Sequence, residues 1–197
     1  MSSKDKTKKS EETKSRILKA AEQLFIENGF DKTPVSQIVK KAGVAQGTFY
    51  LYFPTKDDVL LDIIRDHLRD MLLCITQYIN PLIPSLDDID NVIKAFVQFM
   101  NKHKDIMKLL HKSSIANIIS EGKSLAEFEG SLLSPIKEWV ENGIRKGIIR
   151  KQSPQLSTYF IYLLSHTVLE KAFLFEYPAP LETIAPELAN FIKGALT

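Results

Sequence analysis

The chain has 197 residues, 44% hydrophobic and 25% charged, with a net charge of +2 and one cysteine. That is enough apolar material for one large domain or for a small domain joined to a larger one, and no apolar run approaches the ~20 residues of a membrane helix. The lone Cys74 excludes an internal disulfide, and a Lys- and Ser-rich start with no apolar run behind it predicts no secretory signal, so the sequence reads as cytoplasmic.

Charge is unevenly spread. Through Lys56 there are 11 Lys and Arg against 6 Asp and Glu, a net +5, and from Asp57 onward 15 against 18, a net −3. A basic head on an acidic body orients the head toward phosphate and keeps the body away. The sequence predicts a boundary between residues 1–54 and 55–197, with 1–10 (Lys4, Lys6, Lys8, Lys9) a disordered basic arm.

After the arm, Ile17, Leu18, Ala21, Leu24 and Phe25 form an amphipathic helical stripe that Gly29 ends. The next stretch, TPVSQIVKKAGVAQGTFYLYF from residue 33 to 53, predicts two very short helices about a glycine turn. Thr33 is placed to cap the first, with Pro34 in its first turn, where a missing N–H is tolerated. Val35, Ile38, Val39 and Ala42 give it an apolar side, Gly43 makes the turn, and a second helix runs from Ala45 to about Tyr52. Three helices closing on Phe25, Ile38, Val44, Phe49 and Phe53 form a helix-turn-helix unit, which presents its second helix to a DNA major groove.

Chemistry assigns contact roles within it. Thr33 and Thr48 are short hydroxyls near helix starts, suited to phosphate oxygens. Gly47 lets backbone approach DNA, and the Gln46 amide suits an adenine edge. Tyr50 and Tyr52 reach phosphates or thymine methyls, with core packing beside Phe53 the alternative for Tyr52. Leu51 offers a weaker thymine-methyl contact, and Lys56 supplies a point charge for phosphate.

Beyond the head every strong signal is helical. Thr55-Lys56-Asp57-Asp58 is a capping box opening a helix to about Ile79, with Leu60, Ile64, Leu68, Leu72 and Ile75 on one face and Asp62, Asp66 and Asp70 outside it. Ser85 to Asp88 caps the next helix, which holds Ile93, Phe96 and Met100. An apolar segment from Ile106 through Ile115 and Ile118 reaches Gly122. Ser124 with Glu127 opens a helix to Gly147 that Pro135 is expected to kink or break. Ser153-Pro154 opens another to about Phe175, and a last helix holds Leu188, Phe191, Ile192 and Leu196. The fold class is all-α, a three-helix DNA-binding head followed by a larger helical bundle.

Two further expectations concern the bundle. Its middle helices carry Leu68, Phe96, Met100, Met107 and Trp139 with His103, His111 and Asn117 as polar groups, the composition of a small-ligand cavity; Leu68, Phe96, Met100, His111 and Trp139 are the candidate lining. The last two helices have more apolar surface than one core face needs, and Phe160, Leu164 and Phe191 are candidates for a subunit interface. An enzyme is the rival class. The histidines at 67, 103, 111 and 166 have no metal-pair spacing, and there is neither a phosphate-binding glycine loop nor a Gly-x-Ser-x-Gly elbow. No catalysis, metal or cofactor is expected.

Taken in order, Gly29-Phe30, Thr33, Val35, Ile38, Ala42-Gly43-Val44, Gly47-Thr48-Phe49-Tyr50, Tyr52-Phe53, Thr55-Lys56-Asp57 and Leu60 resemble the N-terminal signature of the tetracycline-repressor (TetR) family of bacterial transcription regulators. The likeness covers about residues 13 to 60. Pro34, Val39 and Ala45 depart from it, and Ala45, lacking an N-cap oxygen, is not carried over as a DNA contact. The resemblance implies DNA contacts at the matching positions and a homodimer joined by its last two helices. It also implies a palindromic double-stranded operator, and a small effector whose binding in the bundle is transmitted along the helix after the head; the apolar pocket composition favours a lipophilic effector. The expected function is a ligand-responsive repressor; the alternative is an architectural or activating helix-turn-helix protein with no effector.

Overall fold

The computed structural model describes residues 3–111 and 133–197. Among them are nine helices and no strand: α1 Ser3–Asn28, α2 Val35–Ala42, α3 Gln46–Tyr52, α4 Lys56–Thr76, α5 Asp88–Lys102, α6 Lys104–Leu110, α7 Ser134–Arg145, α8 Pro154–Phe175 and α9 Leu181–Leu196. The predicted helix start at Ser124 with Glu127, along with Ile115, Asn117, Ile118 and Gly122, lies outside the described residues.

The chain divides into two compact units, one of residues up to His67 with a stretch beginning at Asp105, the other of Leu68–Lys104 with the C-terminal helices. The division falls inside α4, whose first half, with Val59, Leu60, Ile63 and Ile64 buried, belongs to the first unit.

In the first unit, Ile17, Ala21, Leu24 and Phe25 of α1 are buried with Ile38 of α2, Phe49 of α3 and Phe53. Phe30 meets Phe25 edge-on, with centroids 5.0 Å apart. Gly29 ends α1 at φ 87°, donating its N–H to the Phe25 carbonyl. Gly43, at φ 65°, ψ 40°, makes the α2–α3 turn, and Val44 N–H reaches back to Val39 O at 3.0 Å. That bond satisfies a carbonyl the helix end leaves open, and the left-handed backbone it requires favours glycine.

The N-terminal arm corrects the expectation of disorder: α1 is helical from Ser3. Its first turns hold no Gly or Pro and are half Lys, a good helix former, and Thr13 Oγ1 donates to Lys9 O. Lys14 then pairs with Asp62 of α4 at 2.7 Å, and Glu22 Oε1 lies 2.8 Å from His67 Nε2. Both contacts fasten α1 to the start of α4.

In the second unit, α5 buries Ile89, Ile93, Phe96, Phe99 and Met100, α7 buries Ile136, Trp139 and Val140, and α9 buries Leu181, Leu188, Ile192 and Leu196. Pro135 sits in the first turn of α7, where its missing N–H has no intrahelical partner to lose. Ser153 is the N-cap of α8 and accepts from Leu156 N–H, as the Ser-Pro pair predicts. Lys193 ties α9 to α5 through Asp90 at 2.9 Å.

Candidate nucleic-acid interface and ligand cavity

The face of α3 that the head's core leaves over is small and specific. Phe49 is fully buried, whereas Tyr50 is 51% and Leu51 84% exposed. Gln46 and Gly47 are exposed too, so positions 46, 47, 50 and 51 share one outward face of a two-turn helix. A Cβ built on Gly47 meets nothing within 4 Å, so no neighbour demands glycine there, and the space in front of its backbone is open. Tyr50 is braced edge-on against Phe49 at 5.3 Å, which fixes an aromatic ring on that face. This is an amide, a bare backbone, a phenol and an aliphatic tip side by side, the set that reads base edges and thymine methyls. Leu51, the weaker thymine-methyl candidate, is an apolar side chain on the side of the short helix opposite Phe49 and is more exposed than Tyr50.

The remaining predicted contacts fare differently. Thr33 is a correction. It neither caps α2, whose N-cap is Pro34, nor faces solvent; it is 0% exposed, and its hydroxyl lies 2.8 Å from Gly29 O and 3.2 Å from Leu24 O. A buried hydroxyl satisfies these carbonyls at the end of α1, so Thr33 holds the α1–α2 turn and cannot reach phosphate. Thr33→Val should lower stability by about 1–3 kcal/mol, because a nearly isosteric side chain leaves buried acceptors without a donor; urea denaturation checks it. Thr48 is half-buried. Half-buried Tyr52 is turned toward α1, its hydroxyl 3.1 Å from Ser10 Oγ. Lys56 donates from Nζ to Phe30 O at 2.7 Å and lies 4.3 Å from the centroid of the Phe30 ring. An ammonium has three donors, so the Phe30 bond still leaves two, and it holds the charge at a fixed place beside the head.

The second unit contains a narrow apolar cavity in two adjoining compartments of about 40 Å³ each. Ile75, Val92, Ile93, Ile136, Ile161 and Ser165 border both. Ile79, Ile89, Trp139 and Ile192 border only the first; Met71, Phe96, Tyr162 and His166 border only the second. Trp139 is set by its indole N–H, which donates to Asp88 Oδ2 at 2.8 Å. The same oxygen accepts the Ser85 N–H, so the α5 cap also orients the cavity wall. His166 is stacked on Phe96, with Nδ1 3.9 Å from Glu170 Oε2.

Of the five predicted lining residues, Phe96 and Trp139 are on the wall. Leu68, Met100 and His111 are not. Met100 is 0% exposed and consumed in core packing, Leu68 is half-buried, and His111 is exposed and belongs to the head's unit. The isoleucines of the wall were missed because helical spacing does not distinguish a packed core position from one that borders a gap.

A third concavity, a groove of about 290 Å³, lies along α8 and α9 and includes Leu156, Phe160, Leu164 and Phe191. Phe160 is 55% and Phe191 63% exposed, and Leu164 is exposed as well, so the three predicted interface residues share an uncovered apolar face.

Residues 17–63, which span α1 to the first turns of α4, match the model of the bacterial regulatory proteins of the tetR family. The chain belongs to the tetR family. This tetR-family chain is 27% identical over 189 residues to an HTH-type transcriptional regulator, YhgD, of Bacillus subtilis, covering 93% of this chain and 96% of that one. It is 25% identical over 143 residues to the fatty acid metabolism regulator protein of the same organism, 69% of this chain and 70% of that one. Its fold is shared with the transcriptional regulator FadR of Bacillus subtilis, solved in complex with stearoyl-CoA, at a TM-score of 0.70 and 20% identity over 93% of this chain and 99% of that one. The tetR-family chain is therefore a helix-turn-helix transcription regulator. Among its described residues no helix is long and apolar enough to cross a membrane, and no group of three potential metal ligands occurs.

Proposed function

We propose that the protein is a homodimeric repressor that binds a palindromic operator through α3 and releases it when a small lipophilic effector enters the second unit. The observation that carries this reading is the outward face of α3, where Gln46, Gly47, Tyr50 and Leu51 stand clear of the core. A two-fold dimer through the apolar face of α8 and α9 would set two such faces about 34–36 Å apart, one helical turn of DNA. The cavity supports the effector: its wall is apolar, with a few polar groups at one end. The fatty acid regulator among the relatives and the stearoyl-CoA held by the FadR neighbour support a lipophilic class. Helix α4 contributes Leu60 and Ile64 to the head's core and Met71 and Ile75 to the cavity wall, so a ligand that shifts the wall acts on an element the head also uses. Release requires the ligand to favour the form that does not fit DNA, typically by ~1–3 kcal/mol.

Selection of bound sequences from a random double-stranded pool at fixed salt tests the reading. It should return a palindrome. Gln46→Ala should then lose about 1–3 kcal/mol of discrimination at one symmetric pair of operator positions while keeping the rest of the motif. Recovery of sequence-independent, salt-sensitive binding alone would point instead to the architectural role.

A further inference from the structure

The lysine-rich start of the chain is the sequence motif that the repressor reading leaves unused. Helix α1 begins at Ser3 and its first buried residue is Ile17, so about 21 Å of helix precedes the core. From Thr7 to Arg16 no side chain is buried. A helix that projects past its core has no apolar packing there, and polar ties decide where it lies. Ser10 Oγ is 3.1 Å from Tyr52 Oη, at the C-terminal end of α3, and Lys14 Nζ is 2.7 Å from Asp62 Oδ2 of α4. The first tie sets the projecting turns beside α3 and carries Lys8 and Lys9, the two residues before Ser10, with them.

The cations of the head divide into engaged and open ones. Lys14 and Lys41 pair with Asp62 and Glu27, and Lys56 donates to the Phe30 carbonyl. Lys8 and Lys9 are exposed, and among the described residues neither side chain has an ion-pair or hydrogen-bond partner. Before Ser10, Lys4, Lys6, Lys8 and Lys9 stand against Asp5 alone, and Glu11 and Glu12 fall on the turn nearer the core. Open lysines spaced along a straight helix complement a duplex, which carries a phosphate charge every ~1.7 Å of its axis. We propose that the projecting turns of α1 form a fixed basic rail along the DNA backbone beside α3, with Lys8 and Lys9 each neutralising a phosphate. This rests on the reading of α3 as the DNA-facing helix. The rail adds affinity without sequence information. Because it is helical and tied before DNA arrives, it gives up little conformational freedom on binding, whereas a loose arm would lose that freedom on the DNA.

Anisotropy titrations of the full-length protein against the selected operator and an unrelated duplex, from about 50 to about 300 mM salt, count phosphate contacts as a slope. Lys8→Ala combined with Lys9→Ala should lower the slope of log K against log salt by about two units per half-site. The combined variant should weaken both duplexes alike and leave the selected motif unchanged. Lys102→Ala, at an exposed lysine of the second unit, should not alter the slope. Phosphate-ethylation interference should reveal at least one phosphate per half-site that matters to the wild type and not to the combined variant. Glu12→Pro separates a rail from an arm. Proline there can start a shortened α1 but breaks the helix before it, upstream of Ile17, so the thermal melt should hold while the slope falls as in the combined variant. A wild-type slope in the combined variant would overturn the proposal. So would a wild-type slope in Glu12→Pro, the behaviour of a flexible arm. A selected palindrome with an unchanged slope removes the rail alone; no palindrome, with the slope difference present on both duplexes, removes the operator reading alone.

Discussion

Phe49→Ala should cost the head about 3–5 kcal/mol and abolish operator binding. The ring is fully buried and has Tyr50 at 5.3 Å and Phe53 at 5.9 Å as aromatic neighbours. It is also the one buried residue of a seven-residue helix. A helix that short has no independent stability, because nucleation consumes most of what its few hydrogen bonds return. Its packing through Phe49 therefore decides whether the DNA-facing side exists at all. Phe49→Leu, which keeps most of the apolar volume, should retain partial binding. Thermal melts followed at 222 nm, paired with fluorescence anisotropy on the selected operator, measure both effects. Wild-type affinity in Phe49→Ala would remove α3 from the interface.

Phe191→Asp should leave the subunit folded and lower affinity for the full palindrome by about a hundredfold or more. Phe191 is 63% exposed, so replacing it removes little burial within the subunit, and surface changes of this kind usually stay within ~0.5 kcal/mol. In a two-fold interface the same residue appears on both sides, so the substitution places two carboxylates in an apolar contact. Without the dimer each head binds its half-site alone, and the gain from linked sites, typically 10²–10⁴, is lost. Sedimentation velocity should show a monomer, and Leu164→Asp should behave alike. A dimer that persists in both variants would place the subunit contact elsewhere.

Legibility from sequence followed the range of the interactions involved. The Gly43 turn, the Thr55–Asp58 capping box and the Ser153 cap all appear where the sequence puts them, because each depends on residues within a few positions of one another. The outward set on α3 was equally legible once Phe49 was assigned inward, since two turns of helix leave few choices. Thr33 marks where that logic fails. A Thr before a Pro-led helix reads as a cap, and only the folded α1 brings the Gly29 and Leu24 carbonyls to its hydroxyl. Tyr52 and Lys56 show the same effect, each taking a partner 42 or 26 residues away that no local pattern announces.

The sequence by itself determined the class: all-α, basic at the head, with a helix-turn-helix of a recognisable family. These properties reside in composition, periodicity and short-range chemistry. Only the tertiary structure decided which apolar side chains border a cavity and which are spent in the core. Phe96 and Met100 lie one turn apart on the same face of α5, yet one lines the cavity and the other is sealed. That outcome depends on what neighbouring helices set against each residue, and helical period carries no information about a gap between helices.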